Sequence, residues 1–482
     1  MSKKGNKWAL VDPSPRDLAI GMSSRESVLN YPASPSISHE ESVLEHYFVL
    51  VSQANYDKAK ELVDNEKDGH KFSNAAFWGE TLQCLSQLAI AEKNYNNLVF
   101  LGQKRFTQIV RSKDSAKSIY SMLLHEFQRM ENSLSPGSLP LESGESKPVN
   151  ESDQLLAHIS GQLFFFVRAR LKMIEFYEQL SSLGGMRNWM SFEDLVMMAE
   201  EIMKDHMKGF HHPLVASLKA VFSLEVESLC HLLHAQIHIS TWDYLASVLQ
   251  LHLAHSKLNT WGKMTPVKEV KSSFGRTSGK TSPFPPLHAW LLKLKGILLS
   301  KFGFYFYHVL SKQTIPAEMK ANLAKAPEDF FGKVQAFQRK SDATNIYLIL
   351  EAKGLSSRVG EGGYHHPNKY AETTQGMDTY PPIFSYPMER SINAIHWPAL
   401  VMLLSSTENS FDKLHYFYDK PTEKRPYSSY FITRVDVRIW LVVVFESKKN
   451  EKDSVINTFM TDLAVQLRCQ NFMYSLKSFA RS

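Results

Sequence analysis

The sequence predicts an α+β fold in which a large antiparallel helical bundle is followed by a small C-terminal α/β domain. Apolar residues recur at helical spacing from Ser38 to about residue 335, as expected for packed helices joined by loops. After Ala343 the spacing becomes that of extended strands rich in β-branched and aromatic residues. The 482 residues also exceed what one hydrophobic core usually supports, so a multidomain chain is expected.

In the helical part, 39–335, each predicted helix carries apolar residues at helical spacing. They cover Lys93–Lys104, Ala116–Met130, Phe192–Lys208, Pro213–Ile239, Thr241–Trp261 and Leu287–Ser311. The clearest stripe follows residue 153 and consists of Ile159, Leu163, Phe166, Met173, Tyr177 and Leu180. We expect it to face a large core. The segments 132–153 and 262–286 are predicted to be flexible loops, and the Ser- and Pro-rich residues 1–38 a disordered tail.

In the C-terminal part, 343–482, short runs rich in β-branched and aromatic residues predict strands. They are Asn345–Leu350, Ala399–Leu404, Ser429–Thr433 and Ile439–Phe445, the last two forming a hairpin. Helical patterns lie at Asn409–Phe417 and Asp453–Leu467. The irregular insertion 353–395 separates the first two predicted strands, and a loop of that length is expected to be functional or disordered.

The composition is that of a folded chain, with 43% hydrophobic and 22% charged residues. The net charge of +6 is spread along the chain, so we expect no nucleic-acid partner. Cys84, Cys230 and Cys469 are too few and too far apart for a disulfide framework, which favours a reducing, cytoplasmic compartment. Lysines interrupt the most apolar stretch, Trp290–Leu310, so we expect no transmembrane segment, and the N-terminus lacks the apolar region of a secretory signal.

The nearest approach to a nucleotide-binding motif is Gly275–Thr281. A phosphate-binding loop of this kind needs one more residue between its glycines than the three found here. No strand precedes the segment, and three prolines follow where a helix N-terminus would have to supply backbone N–H groups. We therefore interpret it as a basic loop and expect no ATP binding and no other cofactor.

The best metal candidate is the helix that carries His231, His234 and His238. Its apolar stripe lies opposite the histidines and consists of Phe222, Val226, Leu229, Leu233 and Ile237. His238 is seven residues from His231, or roughly 10 Å along the axis, which is too far for one Zn²⁺ with bonds of about 2.0 Å. A solvated or helix-contacting polar face is favoured. The alternative is a zinc site completed by ligands from elsewhere.

Two His-His-Pro segments, Phe210–Pro213 and Tyr364–Pro367, are further candidates. The first is interpreted as a helix junction with Pro213 in the first turn, and the second lies in the insertion. The segment Glu446–Lys449 is interpreted as a solvated strand end. No nucleophile elbow, HExxH motif or zinc-type cysteine pair accompanies them, so we predict no catalytic, cofactor-binding or metal-binding residues.

Several segments together resemble the family of the second, smaller subunit of the KICSTOR complex. They are Tyr56–Lys60, Ala91–Lys93, Leu101–Lys104, Phe210–Pro213, Leu229–Leu233, Asp329–Lys333, Gly363–Pro367, His396–Pro398 and Phe445–Lys449. The resemblance runs in order from about residue 43 to 479 and rests on motifs that are not generic fold signatures. It does not cover the tail or the two predicted loops.

This resemblance implies a helical N-terminal domain and a C-terminal domain of the profilin or roadblock type. It implies a complex with kaptin, an FG-GAP repeat protein and a very large scaffold subunit. In the family, that complex tethers the GATOR GTPase-activating assembly to lysosomes, where it restrains Rag GTPases and mTOR signalling when amino acids are scarce. The implied location is therefore the cytoplasmic side of the lysosomal membrane, reached through partners.

Three functional hypotheses follow. The first is a non-catalytic adaptor, favoured by the resemblance and by the failure of each candidate motif on spacing. The second is a metal-dependent enzyme that uses His231, His234 and one of the His-His-Pro pairs, and metal analysis of the purified protein separates it from the first. The third is nucleic-acid binding through the net positive charge; no basic stripe interleaved with aromatic residues supports it, and salt-dependent binding to mixed DNA or RNA would test it.

Overall fold

The fold is seen in a computed structural model of the chain. It describes residues 38–69, 77–102, 115–134, 151–182, 191–265, 284–355, 376–387, 395–407, 410–411, 413–421 and 427–479. The helical part comprises α1 (His39–Ser52), α2 (Tyr56–Gly69), α3 (Trp78–Asn96), α4 (Ala116–Leu134), α5 (Glu151–Ser182), α6 (Phe192–His206), α7 (Ala216–Ser240), α8 (Tyr244–Met264), α9 (Pro286–Tyr305), α10 (Tyr307–Ser311), α11 (Pro316–Lys325) and α12 (Phe330–Lys340). The C-terminal part comprises β1 (Asn345–Leu350), β2 (Pro382–Tyr386), α13 (Trp397–Ser406), β3 (Leu414–Asp419), β4 (Ser428–Asp436), β5 (Ile439–Phe445), α14 (Ser454–Leu467), α15 (Gln470–Tyr474) and α16 (Leu476–Phe479).

The strands form a five-stranded antiparallel sheet in the order β2-β1-β5-β4-β3. Side chains alternate between its two faces. Along β5, Leu441 and Val443 belong to the larger core, which continues into the helices, whereas Trp440 and Val442 belong to a smaller core beneath α13. Covering both faces explains why Ile439–Phe445 reads as a continuous apolar run.

Aromatic contacts continue the larger core from the helices to the sheet and the C-terminal helices. Trp290 of α9 stacks on Phe472 of α15 with ring centroids 5.6 Å apart. The ring of Phe304 in α9 packs against that of Phe384 in β2, with the ring centroids 4.6 Å apart. Gly296 lets the segment that contains Pro327 pack closely against α9, because a Cβ at position 296 would lie only 2.6 Å from the Pro327 side chain. Among the described residues, no helix is long and apolar enough to cross a bilayer.

The predicted stripe of α5 is confirmed as core. Phe166 is buried and packs edge-to-face against Phe210 and Phe222. The junction of α7 and α8 is tight, because Trp242 adopts a positive φ and stacks on Phe306 at 4.3 Å. The side chain of Asp243 then caps α8 by accepting from the backbone N–H of Ala246 at 3.1 Å. The chain thus reverses and α8 runs back along α7.

Several predicted helices are confirmed, with shifted ends. The stretch Ala116–Met130 lies in α4, Phe192–Lys208 in α6 with a following turn, and Thr241–Trp261 corresponds to α8. The predicted helix Leu287–Ser311 is broken at Phe306 into α9 and α10. The predicted helix Lys93–Lys104 was wrong beyond Asn96, because Leu98 adopts a left-handed conformation before a short 3₁₀ turn. Its last two residues lie outside the described part of the chain.

The strands Asn345–Leu350, Ser429–Thr433 and Ile439–Phe445 are confirmed. Ala399–Leu404 was wrongly predicted as a strand, since it lies in α13. Pro398 sits in the first turn of that helix, and Leu400 and Leu404 bury one face at a spacing of four residues. A short apolar run does not distinguish the two structures.

The predicted helix Asn409–Phe417 was also wrong, because its second half enters β3 and pairs with β4. Strand β2 was missed, since it lies within the predicted irregular insertion 353–395. Most of that insertion, most of the predicted tail 1–38, and the greater part of the predicted loops 132–153 and 262–286 lie outside the described residues. Their described margins extend α4 to Leu134 and α8 to Met264.

Candidate functional site

A buried charged cluster lies at the centre of the helical part. Arg170 of α5 donates two hydrogen bonds to Glu92 of α3, at 2.9 and 3.0 Å, and one to Glu225 of α7, at 2.5 Å. All three side chains are almost fully inaccessible to water. Burial alone would lower the pKa of the guanidinium, but the two carboxylates outweigh it and raise that pKa. Arg170 is therefore a permanent cation that joins three helices.

Three tyrosine hydroxyls complete this Arg170 cluster. Tyr95 and Tyr177 donate to Glu225 at 2.5 and 3.2 Å, and Tyr120 of α4 donates to Glu92 at 2.7 Å. Burial, reinforced by these carboxylates, raises the pKa of all three phenols well above the ordinary value. The hydroxyls therefore remain donors. The arrangement satisfies its charges internally and is suited to fixing the register of four helices.

A second buried cluster joins the helices to the sheet. Lys301 of α9 pairs with Asp436 at the end of β4 at 2.8 Å, and both are buried. Ser240 of α7 donates to Asp436 at 3.1 Å, and the hydroxyl of Tyr305 donates to the other carboxylate oxygen. Burial raises the pKa of Tyr305 well above its ordinary value, and Asp436 adds to this. This Lys301–Asp436 cluster fixes one corner of the sheet against α7 and α9.

Sequence reasoning missed both clusters, although a signal was present. Arg170 lies on the α5 stripe between Phe166 and Met173, and Lys301 lies between buried Leu298 and Tyr305 on α9. A charged residue within an apolar stripe is buried with a partner, because an unpaired buried charge costs several kcal/mol.

The histidines of α7 lie on a half-buried stripe, on the side opposite the apolar residues as predicted. His231 shares a hydrogen bond with Gln250 of α8 at 2.7 Å, and His234 with Glu200 of α6 at 3.2 Å. His238 stacks on His234 at 6.1 Å. Their described contacts tie α7 to its neighbouring helices, so the helix-contacting interpretation describes them.

The first His-His-Pro segment forms the predicted helix junction. The side chain of Gln162 accepts from the backbone N–H groups of His211 and His212. The Nδ1 of His212 accepts from the backbone N–H of Leu214 at 3.2 Å, so its ring is neutral with the proton on Nε2. Burial, with His158 nearby, lowers the pKa of His212. His212 therefore acts as a cap.

The structure does not bring this junction to the histidine-rich stripe. His231 lies fifteen residues into α7, about 22 Å from its first residue at 1.5 Å per residue. In the described part of the chain, no group of three or more His, Cys, Asp or Glu residues has the geometry of a metal site. The segments Gly275–Thr281 and Tyr364–Pro367 lie outside the described residues.

Four of the motifs that carry the resemblance contact one another in two pairs. Asp57 pairs with Lys93 at 2.6 Å, and Glu446 lies 3.3 Å from the Nε2 of His396. In Asp329–Lys333 the side chain of Asp329 caps α12 by accepting from the N–H of Gly332 at 2.7 Å. A Cβ at Gly332 would collide with that carboxylate, which explains the glycine.

The predicted strand end Glu446–Lys449 is partly solvated but also makes structural contacts. Lys449 pairs with Asp342 at 2.5 Å, and Ser447 donates to the same carboxylate at 3.0 Å. These contacts hold the end of β5 against Asp342, three residues before the start of β1. The segment therefore closes the sheet as well as facing solvent.

A groove between α13 and β3 offers space for a partner segment. It has a volume of about 390 Å³. Its lining is mostly apolar and aromatic and consists of Pro398, Ala399, Met402, Leu403, Phe417, Tyr418, Asp419 and Tyr430. Strand β3 pairs with β4 in an antiparallel register, and among the described strands it has no other neighbour.

Comparison with known proteins gives consistent matches over nearly the whole chain. The family model described as "KICSTOR complex C12orf66 like" matches residues 33–481. KICSTOR subunit 2 of Xenopus laevis is 39% identical over 452 residues, which cover 92% of this chain and 98% of the relative. KICSTOR subunit 2 of Danio rerio is 39% identical over 451 residues, which cover 92% of this chain and 96% of the relative.

Proposed function

The chain belongs to the KICSTOR C12orf66-like family, and on this basis we propose that it is a non-catalytic adaptor subunit of a KICSTOR complex. The observation that carries the proposal is the extent of the match, which includes the helical part, the sheet and the motifs joined by Asp57–Lys93 and His396–Glu446. The internal pairing of the Arg170 and Lys301–Asp436 clusters also supports a structural role for these charges.

The proposed partners are those that the resemblance implies: kaptin, an FG-GAP repeat protein and a very large scaffold subunit. Through them the chain would help to recruit the GATOR assembly to the cytoplasmic face of lysosomes. The consequence is restraint of Rag GTPases and of mTOR signalling when amino acids are scarce.

We further infer that residues 343–482 form a domain of the profilin or roadblock type. The strand order β2-β1-β5-β4-β3, with α13 inserted between β2 and β3 on one face and α14 after β5, supports this assignment. The groove between α13 and β3 is then a natural place for a partner segment, because its lining is mostly apolar and aromatic.

The test is deletion of the gene followed by rescue. Cells lacking the protein should keep mTOR signalling high during amino-acid starvation, and the wild-type chain should restore the response. If the role is tethering, replacing His231, His234, His365 or His366 by Ala should leave the rescue nearly intact, provided that the variants fold and assemble. Phe166→Ala should abolish rescue, because loss of this buried ring costs about 3 to 5 kcal/mol of stability.

The same experiment can contradict the proposal. A histidine variant that folds and assembles with kaptin and the other subunits, yet fails to restrain mTOR, would require a chemical site in this chain. One equivalent of zinc retained after dialysis would point the same way and favour the metal-dependent alternative.

A further inference from the structure

The turn that leads into α7 begins at a histidine whose ring must be neutral. His212 is the N-cap residue of the short 3₁₀ turn Pro213–Val215, which continues directly into α7. Its Nδ1 accepts from the backbone N–H of Leu214 at 3.2 Å, and its backbone oxygen accepts from the N–H of Val215 at 3.0 Å. Both nitrogens of an imidazolium carry hydrogen, so a protonated His212 cannot accept. Protonation therefore removes the side-chain cap.

Two further histidines and an acid lie around this ring. His158 of α5 packs edge-to-face against His212, with the ring centroids 5.3 Å apart, and against His211 at 6.5 Å. The Nδ1 of His211 donates to the backbone oxygen of Lys208 at 3.2 Å. In the described part of the chain, Glu41 of α1 is the acid whose charge acts on His212. Titratable groups from α1, α5 and the junction therefore meet at the start of α7.

Most of these surroundings oppose a proton on His212. Burial is the largest cause that lowers its pKa, and the charges of His158 and His211 act in the same direction, whereas Glu41 opposes them. The positive end of the α7 dipole adds to the effect. The capped chain therefore binds this proton less readily than an uncapped chain does. It follows that the cap is complete above the ordinary pKa of 6.5 and weakens as the pH falls below that value.

The polar contacts of the junction attach it to α5. The side chain of Gln162 is buried and accepts from the backbone N–H groups of both His211 and His212. Phe210, the residue before them, is buried against Phe222 with ring centroids 5.7 Å apart. Helix α1 packs against the turn that follows. An apolar anchor therefore holds the N-terminal side of the junction at every pH, whereas the cap on its C-terminal side depends on a neutral ring.

We propose that the junction between α6 and α7 is a pH-sensitive switch, in which proton uptake by His212 opens the first turn before α7. The Arg170 and Lys301–Asp436 clusters hold α7 itself in place, so the opening is confined to residues 211–215. The released imidazolium turns toward Glu41, which gives the open form a charge partner. Because α1 and α5 pack on this turn, the opening changes the surface that they form together. The inference does not depend on the adaptor role.

A metal site would be the other use of neighbouring histidines, and the contacts disfavour it. The Nδ1 atoms of His211 and His212 are both engaged with backbone groups. Since the Nδ1 of His212 accepts, its Nε2 carries the proton and has no lone pair for a metal. This agrees with the lack of a metal-site geometry among the described residues.

The experiment follows amide hydrogen exchange of the full chain from about pH 8 to about pH 5, corrected for the intrinsic effect of pH, on a peptide that contains Leu214. Two variants bracket the switch. His212→Asn keeps a favoured N-cap acceptor that does not titrate, and His212→Ala has no side-chain cap at any pH. The control His158→Gln keeps the cap and removes the neighbouring imidazole. Circular dichroism reports whether each variant is folded.

We expect exchange at the Leu214 N–H in the wild-type chain to rise about fivefold as the pH falls, which corresponds to about 1 kcal/mol for a lost cap. The His212→Asn variant should stay protected over the whole range, and His212→Ala should exchange throughout like the acidic wild type. His158→Gln should move the wild-type transition to higher pH, because His158 lowers the pKa of His212.

Corrected exchange at Leu214 that does not change with pH in the wild-type chain would overturn the inference. So would the same pH dependence in His212→Asn, because that variant has no ring to titrate. A transition that coincides with loss of the circular dichroism signal would assign the effect to global unfolding and would overturn it as well. If His212→Ala does not fold, the comparison of wild type with His212→Asn still decides.

Discussion

The strongest stability prediction concerns Arg170. Arg170→Leu removes the guanidinium and leaves the carboxylates of Glu92 and Glu225 buried without a cation. Removing one partner of a buried ion pair costs about 3 to 5 kcal/mol, and here two like charges remain. Tyr95, Tyr120 and Tyr177 still donate to these carboxylates, but neutral donors do not replace a full positive charge.

The chain offers a matched control in Arg129. It also bridges two carboxylates, Glu80 at 2.6 Å and Glu126 at 3.0 Å, but its side chain is 43% exposed. Exposed pairs contribute only about 0 to 1 kcal/mol, so Arg129→Leu should change the free energy of unfolding by no more than that. Glu225→Gln, which keeps the shape of the buried side chain and removes one charge, should cost about 1.5 to 3 kcal/mol.

Urea unfolding followed by far-ultraviolet circular dichroism measures each free energy. The combination Arg170→Leu/Glu225→Gln gives a sharper result, because it removes one of the two unpaired carboxylates. It should be more stable than Arg170→Leu alone, by about 1 to 3 kcal/mol. If Arg170→Leu costs no more than Arg129→Leu, or if the double variant is no more stable than Arg170→Leu alone, the reasoning from burial is wrong.

Three further predictions follow from other buried groups. Lys301→Met should cost about 3 to 5 kcal/mol in urea unfolding by leaving Asp436 unpaired, whereas Lys333→Met at a partly exposed pair should cost less than about 1 kcal/mol. Burial lowers the pKa of His288 from 6.5 to about 4, so between these pH values the unfolded chain takes up a proton that the folded chain does not. The free energy of unfolding should therefore fall by up to about 3 kcal/mol as the pH drops from 6.5 to 4, and His288→Gln should abolish this part of the pH dependence. All three cysteine thiols are buried, with pKa values raised by burial to about 11 or about 12, so a thiol reagent should label none in the native protein and all in denaturant.

The parts of the fold that the sequence predicts well are those with one dominant pattern. The α5 stripe is long enough for its period to be unambiguous, and Ile439–Phe445 is apolar throughout because both faces of the sheet are covered. Short apolar runs carry less information. Ala399–Leu404 suits a strand as well as a helix, and only its packing across the sheet selects α13.

The errors near β2 and β3 have the same physical origin. Both strands lie at the sheet edges, where a strand is stabilised by one neighbour and keeps part of its surface in solvent. The side chains of β3 are all half-buried, so no alternation of apolar and polar residues marks it. Pairing with β4 decides its structure, and that contact is not local in sequence.

The buried charged clusters can be predicted from the sequence only in part. Glu225 lies between Phe222 and Leu229 on the α7 stripe, as Arg170 lies between Phe166 and Met173 on α5. Each position reveals a charge that folding must bury. The sequence does not reveal that these two charges meet, because their separation of 55 residues is closed only by helix packing.

Helix α7 connects the two clusters, and this fixes its position relative to the sheet. It contributes Glu225 to the Arg170 cluster and Ser240 to the Lys301–Asp436 cluster, about 22 Å apart along the helix. A shift of α7 by one turn would break both sets of buried hydrogen bonds, so the helix has one stable position. Helix α8 packs on α7, and α9 carries Lys301 itself. Because the Lys301–Asp436 pair joins α9 to the end of β4, a shift of α7 would also disturb the contact between the helices and the sheet.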